Sequence, residues 1–174
     1  AGDAMLVFGG ETSDRLRLND LWKYKPGEVG SWEQPAWTSL ENPSVRCGHT
    51  AVWTGAWAGE AMLVFGGKGT NSALNDLWEW KYKASGWAQL EPSGSAPLAR
   101  QGHIAVWAGK AGMLVFGGCS YSGYDYFNDL WKYNYDPVEG GSWEQLEPSG
   151  SAPCARYGHT AVWAREVMLV FGGT

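Results

Sequence analysis

Cysteine is scarce in this sequence, which has three thiols, Cys47, Cys119 and Cys154, among 174 residues. A disulfide framework needs an even set of cysteines at close spacing, so the chain is not a disulfide-stapled domain. Sparse cysteine favours a reducing, intracellular compartment. Beyond that preference, the sequence assigns no compartment.

Long apolar runs and basic clusters are also missing. No stretch of about 18 apolar residues is present to span a bilayer, and no secretory signal is visible. Lys and Arg number 13 against 18 Asp and Glu, for a net charge of −5. Because a phosphate backbone attracts clustered Lys and Arg, we expect no nucleic-acid partner and no direct membrane insertion. The chain begins with Ala1 rather than Met, so we expect a preceding segment and give the missing signal little weight.

Motifs of catalysis and metal binding are absent too. The sequence has no H-E-x-x-H, no Ser-His-Asp order, and no G-K-[ST] ending after its double glycines. His49, His103 and His159 recur at one position, yet no carboxylate or Cys is spaced to complete a zinc site with them. A hydrogen bond to a neighbouring strand is the favoured role for these histidines. We therefore expect no catalytic residue, no metal, no cofactor and no enzymatic activity.

What the sequence does contain is an internal repeat. The string FGG recurs at steps of 57, 51 and 55 residues, and two other strings recur with it in a fixed order. The positions are 8–10, 65–67, 116–118 and 171–173 for FGG; 19–22, 75–78 and 128–131 for NDLW; and 46–49, 100–103 and 156–159 for R-x-G-H. A fixed period of this length indicates a repeat architecture.

Each repeat holds four short segments that are rich in β-branched and aromatic residues and are bounded by Gly, Pro, Ser or Asn. No segment keeps a 3.6-residue period long enough for a helix. Four strands per unit at about this period are typical of a propeller blade. The pattern predicts an all-β chain built of four-stranded antiparallel blades.

The ordered set of R-x-G-H, FGG and NDLW resembles the kelch repeat, in its longer subtype, over essentially the whole chain. The resemblance implies a kelch β-propeller segment with a partial blade at 1–45 (blade 1), blades at 46–99 and 100–155 (blades 2 and 3), and a partial blade at 156–174 (blade 4). Kelch rings usually have about six or seven blades. An open blade face would expose apolar rings, so we expect this chain to be a fragment of a longer propeller.

The arginines of R-x-G-H are candidate partner-binding residues. In some kelch proteins, arginines at the place of Arg46, Arg100 and Arg156 resemble a ring that grips acidic peptides, and a guanidinium offers a planar fork of donors for a carboxylate. The alternative is internal, because Asp20, Asp76 and Asp129 also recur at one position. Residues shared by every repeat usually build the scaffold.

Nine of the 12 tryptophans sit in register between repeats. Aromatic stripes at repeat spacing are core residues by default, so we expect the tryptophans of the first and third strands to fill the spaces between blades. Trp37, Trp57 and Trp80 fall outside this register, and we expect them to make exposed contacts.

The loop after each FGG differs between repeats, and such variation often marks a binding face. The loop at 119–127 is the longest of these and carries Tyr121, Tyr124, Tyr126 and Phe127. Rigid amphipathic rings among Ser and Gly are typical of recognition surfaces, so we take these four residues as candidate partner contacts. The alternative is that the rings fold back onto the blade.

The expected function is therefore a non-catalytic scaffold that binds other proteins through its rim loops, as part of a larger assembly. One alternative is the propeller portion of an enzyme whose active site lies outside this segment. Another is a purely structural subunit that is bound through its blade edges.

Overall fold

A computed structural model describes residues 4–37, 39–55, 58–84 and 86–174. Thirteen β-strands form four antiparallel sheets of three, four, four and two strands. No helix in the described ranges is long and apolar enough to cross a membrane. The prediction of an all-β chain with four-stranded antiparallel blades is confirmed.

The strands follow one another outward in each sheet, so that every pair of sequence neighbours is hydrogen-bonded. Blade 1 holds β1 (Met5–Glu11), β2 (Arg17–Lys25) and β3 (Ser31–Glu33); blade 2 holds β4 (Thr50–Trp53), β5 (Ala61–Lys68), β6 (Ala73–Lys81) and β7 (Gly86–Leu90); blade 3 holds β8 (Ile104–Trp107), β9 (Met113–Phe116), β10 (Leu130–Asn134) and β11 (Ser142–Leu146); and blade 4 holds β12 (Thr160–Ala164) and β13 (Val167–Phe171). A short 3-10 turn at Gly109–Ala111 connects β8 to β9.

The core lies between the blades rather than within them. Phe65 of blade 2 packs against Trp143 of blade 3 with ring centroids 4.9 Å apart, and Phe8 of blade 1 packs against Trp87 of blade 2 at the same distance. Strand β5 is buried from Ala61 to Gly67 because both of its faces meet a neighbouring blade. Because neither face of such a strand meets solvent, its sequence is a continuous run of apolar residues and not an alternation of apolar and polar ones.

The double glycines allow the inner strands to approach closely. Gly67 has φ +99°, and a Cβ there would lie 2.8 Å from the Cβ of His49 and 2.9 Å from the carbonyl oxygen of Cys47. Any other residue would be strained by this φ and would push the inner strand away. The repeated FGG is therefore a packing requirement, and the register of β5 against β6 shifts at this point, between Phe65 and Gly67.

The prediction that Trp80 is an exposed contact is wrong, because its side chain is 1% exposed. Trp78 and Trp80 lie two residues apart on β6 and so share one face, and both join the core cluster that contains Phe8 and Leu21 of blade 1. Trp37 is partly buried against the same cluster. Trp57 lies outside the described residues.

Candidate partner-binding rim

Arg46 connects blade 1 to blade 2 through both its backbone and its side chain. Its backbone N–H donates to Leu18 O at 3.0 Å, and its carbonyl accepts from Gly10 N at 2.9 Å, so the main chain is bound to blade 1. Its guanidinium reaches into blade 2, where Nη1 and Nη2 donate to the two oxygens of Asp76 at 2.8 Å each. Nη1 also donates to Gly66 O at 3.0 Å.

Arg100 repeats this arrangement between blades 2 and 3. Its N–H donates to Leu74 O at 3.1 Å, and its carbonyl accepts from Gly67 N at 2.9 Å. Its Nη1 and Nη2 donate to Asp129 at 2.7 and 2.8 Å, and Nη1 also donates to Gly117 O at 2.9 Å. A bidentate arginine–carboxylate pair is among the strongest hydrogen-bonded contacts available to a protein. The two junctions on either side of blade 2 thus have the same ionic connection.

Burial removes Arg46 and Arg100 from the surface, since both side chains are 0% exposed. Burial alone would raise the pKa of Asp129, but hydrogen bonds from Arg100 and Trp131 outweigh it and hold that pKa below its ordinary value. The geometry favours the internal alternative, in which arginine pairs with aspartate, for these two arginines. Their contact with a partner stays a prediction.

Arg156 has the same local geometry and is partly exposed. Its Nε donates to Cys154 O at 3.1 Å and its Nη1 to Gly172 O at 2.9 Å, as Arg100 does with Leu98 O and Gly117 O. Within the described ranges, no carboxylate pairs with Arg156. Arg156 thus keeps the two carbonyl contacts that hold the other arginines in place.

The 119–127 loop is held by backbone hydrogen bonds at both ends. Cys119 N donates to Gln101 O at 2.9 Å, and Phe127 N donates to Gly118 O at 2.9 Å. Within the loop, Ser120 N donates to Asp125 O at 2.9 Å. The loop is thus an ordered projection attached to the inner strand of its own blade.

The loop's rings divide between packing and exposure. Phe127 lies against the guanidinium of Arg100 with its ring centroid 4.5 Å away, and Tyr126 packs at a tilt against Tyr157 of blade 4, with ring centroids 5.5 Å apart. Tyr124 is 86% exposed. Phe127 and, in part, Tyr126 therefore fold back onto the blades, as the alternative interpretation of this loop expected. Tyr124 projects from the rim.

Sequence reasoning overlooked a set of residues beside the 119–127 loop. The variable residue of each R-x-G-H pairs its backbone with the residue that follows FGG in the same blade: Cys47 with Lys68, Gln101 with Cys119, and Tyr157 with Thr174. Lys68 lies over the ring of Tyr121 with Nζ 5.1 Å from the centroid, which links this set to the loop. Variation inside an otherwise constant motif was the signal that could have revealed it.

The three histidines pack under this rim. The ring of His103 lies 5.3 Å from that of Phe65, and its Nε2 is 3.0 Å from the hydroxyl of Thr50. Burial, followed by the nearby arginine, lowers the pKa of His103 to about 3 and that of His49 to about 4. In the described part of the chain, no group of three His, Cys, Asp or Glu side chains is placed to hold a metal ion.

With this geometry in place, comparison with known proteins gives the family. A family model for the KLHDC2/KLHL20/DRC7 Kelch-repeats domain matches residues 1–173. The chain belongs to the kelch-repeat family. Its resemblance to kelch repeats, which was based on three short strings, is confirmed over nearly the whole chain.

Several curated kelch-repeat relatives align over almost all of this chain. Human multiple epidermal growth factor-like domains protein 8 is 34% identical over 97% of this chain and 6% of its own length. The Drosophila melanogaster leucine-zipper-like transcriptional regulator 1 homolog is 34% identical over 98% of this chain and 17% of its own length. Tip elongation aberrant protein 1 of Schizosaccharomyces pombe is 33% identical over 99% of this chain and 15% of its own length. The chain thus spans a small part of each relative.

Replacing Arg100 tests the buried pair. Arg100→Ala leaves Asp129 without its cation and should destabilise the fold by about 3 kcal/mol, measured as a shift in the urea midpoint. The double variant Arg100→Ala/Asp129→Ala should lose less than the sum of the two single losses. Lys110→Ala, at an exposed turn, is the control and should change little. Additive losses in the cycle would show that the two side chains do not stabilise each other.

Acid should destabilise the fold through the buried histidines. An unfolded His binds a proton below about pH 6.5, whereas folded His103 resists protonation down to a pKa of about 3, so stability falls as the pH drops between these values. At pH 5 the loss is about 2 kcal/mol for such a group. His103→Gln should reduce the difference between urea midpoints at pH 7 and pH 5. An unchanged difference would contradict the burial of a neutral His103.

Proposed function

We propose that this kelch domain is a non-catalytic scaffold that binds another protein through the rim formed by the 119–127 loop. A kelch-repeat domain fits a protein-interaction scaffold, and the rim is where this chain departs most from its own repeat. The observation that carries the proposal is Tyr124, which is 86% exposed on a loop ordered by backbone hydrogen bonds. An aromatic ring held in position loses little conformational entropy when it binds.

The candidate residues divide into two roles. Tyr121, Tyr124 and Tyr126 are exposed, and Arg156 is partly exposed, so we propose these as direct contacts. Arg46, Arg100 and Phe127 shape the rim from beneath, because both arginines are buried and Phe127 lies on the guanidinium of Arg100. A surface of tyrosines beside Lys68 and Arg156 suits a partner segment with carboxylates and an apolar anchor.

A loop graft tests the proposal. Residues 119–127 are replaced by KGTNSAL, the loop at 68–74 of blade 2. The graft should keep the circular dichroism spectrum with only a small fall in melting temperature, because the packing rings Phe116 and Trp131 lie outside the loop and the last Leu of the graft takes the place of Phe127 beside Arg100. Proteins that the wild-type domain enriches in quantitative affinity capture should no longer be enriched.

Point variants sharpen this result. Tyr124→Ser should weaken the captured partner's affinity roughly thirtyfold, which corresponds to about 2 kcal/mol for an interface aromatic. Val138→Ser is the matched control, because Val138 is 89% exposed at the opposite end of blade 3, in the turn between β10 and β11. Undiminished capture by a folded graft would place the contact elsewhere on the domain.

A further inference from the structure

A shallow groove of about 600 Å³ runs along the outer edge of blade 2. Strand β7 and Glu91 form one wall of this groove. The other wall is the start of the connection from blade 1 to blade 2, here called the first connection (residues 39–45). Residues of the 119–127 loop do not line the groove, so it is a surface separate from the proposed rim contact.

The corresponding edge of blade 3 is bound by the second connection (residues 91–99). Ser93 N donates to Gly141 O at 3.0 Å, and Trp143 N donates to Ser93 O at 2.9 Å, so main chain pairs with main chain. Ser39 is the equivalent of Ser93 in the first connection. Here Trp87 N donates to the Ser39 side chain, with Oγ at 3.0 Å. Among the described residues, no main-chain hydrogen bond joins residues 39–41 to β7.

Leu40 explains why the first connection does not pair with β7. In the second connection the equivalent residue is Gly94, which has φ +82° and where a Cβ would lie 2.7 Å from Trp143 O. A side chain does not fit so close to a carbonyl oxygen. The first connection therefore stands away from β7, and the Leu40 side chain is exposed. The groove is the space between them.

The main chain of β7 directs polar groups into this groove. Trp87 N donates to Ser39 and not to β6, so Trp87 presents its main-chain groups to the outer edge. Main-chain groups in an antiparallel strand alternate between its two edges. The N–H and C=O of Gln89 therefore face the groove as well. An extended segment beside β7 can exchange two hydrogen bonds with Gln89, which is the contact of an added strand.

Blade 2 also lacks the charge that the other fourth strands carry. In blades 1 and 3 the residue after the fourth-strand tryptophan is a glutamate: Glu33 pairs with Lys25 at 2.8 Å, and Glu144 lies 3.9 Å from Lys132. The equivalent residue of blade 2 is Ala88, and β7 (Gly-Trp-Ala-Gln-Leu) has neither a charged residue nor Pro. Charge and Pro on an edge strand are what discourage strand addition.

The side chains of the groove define the chemistry of its occupant. Leu40 and Ala88 are exposed apolar residues, and Glu41 and Glu91 are exposed carboxylates, whereas neither Lys nor Arg lines the groove. Charge complementarity therefore selects a basic segment. In an extended chain every second side chain lies on the same face, so Lys or Arg on both sides of an apolar residue matches this surface.

We propose that the outer edge of blade 2 is a second protein-binding surface, which takes an extended basic segment of a partner as an added strand beside β7. Main-chain hydrogen bonds to Gln89 hold the segment, Leu40 and Ala88 contact its apolar side chain, and the two glutamates bind its cations. Leucine in place of glycine and alanine in place of glutamate are both departures from the repeat, and such variation often marks a binding face. This surface does not depend on the 119–127 loop having a partner.

Fluorescein-labelled peptides test the proposal by fluorescence anisotropy with the full chain. Lys-Thr-Val-Thr-Lys places its Lys and Val side chains on one face and should bind saturably. Glu-Thr-Val-Thr-Glu should bind at least about tenfold more weakly, because its carboxylates would face those of the groove. N-methylation of the central Val removes the proton that the Gln89 carbonyl accepts and should weaken binding by about tenfold as well. The Lys peptide should also slow hydrogen exchange of the Gln89 amide.

Variants that restore the residues of the other blades locate the peptide. Leu40→Gly and Ala88→Glu should keep the circular dichroism spectrum, because both side chains are exposed, and each should weaken binding of the Lys peptide about tenfold. Glu91→Lys should weaken it as well. Glu147→Lys is the matched control, since Glu147 is exposed at the equivalent position of blade 3, and should leave the affinity unchanged.

Several outcomes would overturn the proposal. They are no saturable binding of the Lys peptide up to about 1 mM, equal affinity for the Lys and Glu peptides, and wild-type affinity in folded Leu40→Gly and Ala88→Glu. Loss of peptide binding in the 119–127 loop graft would place the peptide on the rim. Self-association of the chain that Ala88→Glu abolishes and the Lys peptide displaces would make a second copy the occupant, which also contradicts the proposal.

Discussion

The arginine of each R-x-G-H motif is the contact on which the arrangement of blades depends. Its main chain is hydrogen-bonded to the preceding blade, and in blades 2 and 3 its guanidinium binds the aspartate of its own blade. One residue therefore fixes the distance and direction between two sheets. Because the guanidinium is buried, loss of either partner would leave an unpaired charge in the interior. The double glycines and the histidine rings pack around this contact, and they recur with it for that reason.

The residues beneath the rim are the same in every repeat, whereas the residues above it differ from one repeat to the next. The inner strands are joined in series, with Gly102 N donating to Gly48 O at 2.8 Å and Gly158 N donating to Gly102 O at 2.9 Å. Upon this frame each blade carries its own loop and its own residue within R-x-G-H. Tyr124 and Gln101 belong to this variable layer, and neither is needed to hold two blades together. Residues of this layer can therefore differ between blades while the arginine–aspartate pairs below them stay the same.

The sequence was sufficient for the fold, because the spacing of FGG, NDLW and R-x-G-H sets strand order and packing in every repeat. It also raised the pairing of Arg100 with Asp129 as an alternative. It misjudged Trp80, since a residue outside the repeat register can still share a face with Trp78. The conformation of the 119–127 loop could not be predicted, because an irregular loop is not constrained by the repeat. That Phe127 packs while Tyr124 is exposed depends on contacts of the loop with Arg100 and with blade 4.

Hydrogen exchange of the wild-type chain tests the role of the R-x-G-H contact most directly. The amides of Gly67, Arg100 and Gly118 donate across blade junctions outside the inner-strand ladders. If those junctions are fixed by the buried arginines, these amides should exchange as slowly as those of β5 and β9, in one cooperative unit. Junction amides that exchange orders of magnitude faster than β5 and β9 would show that the blades open independently, and would contradict the account.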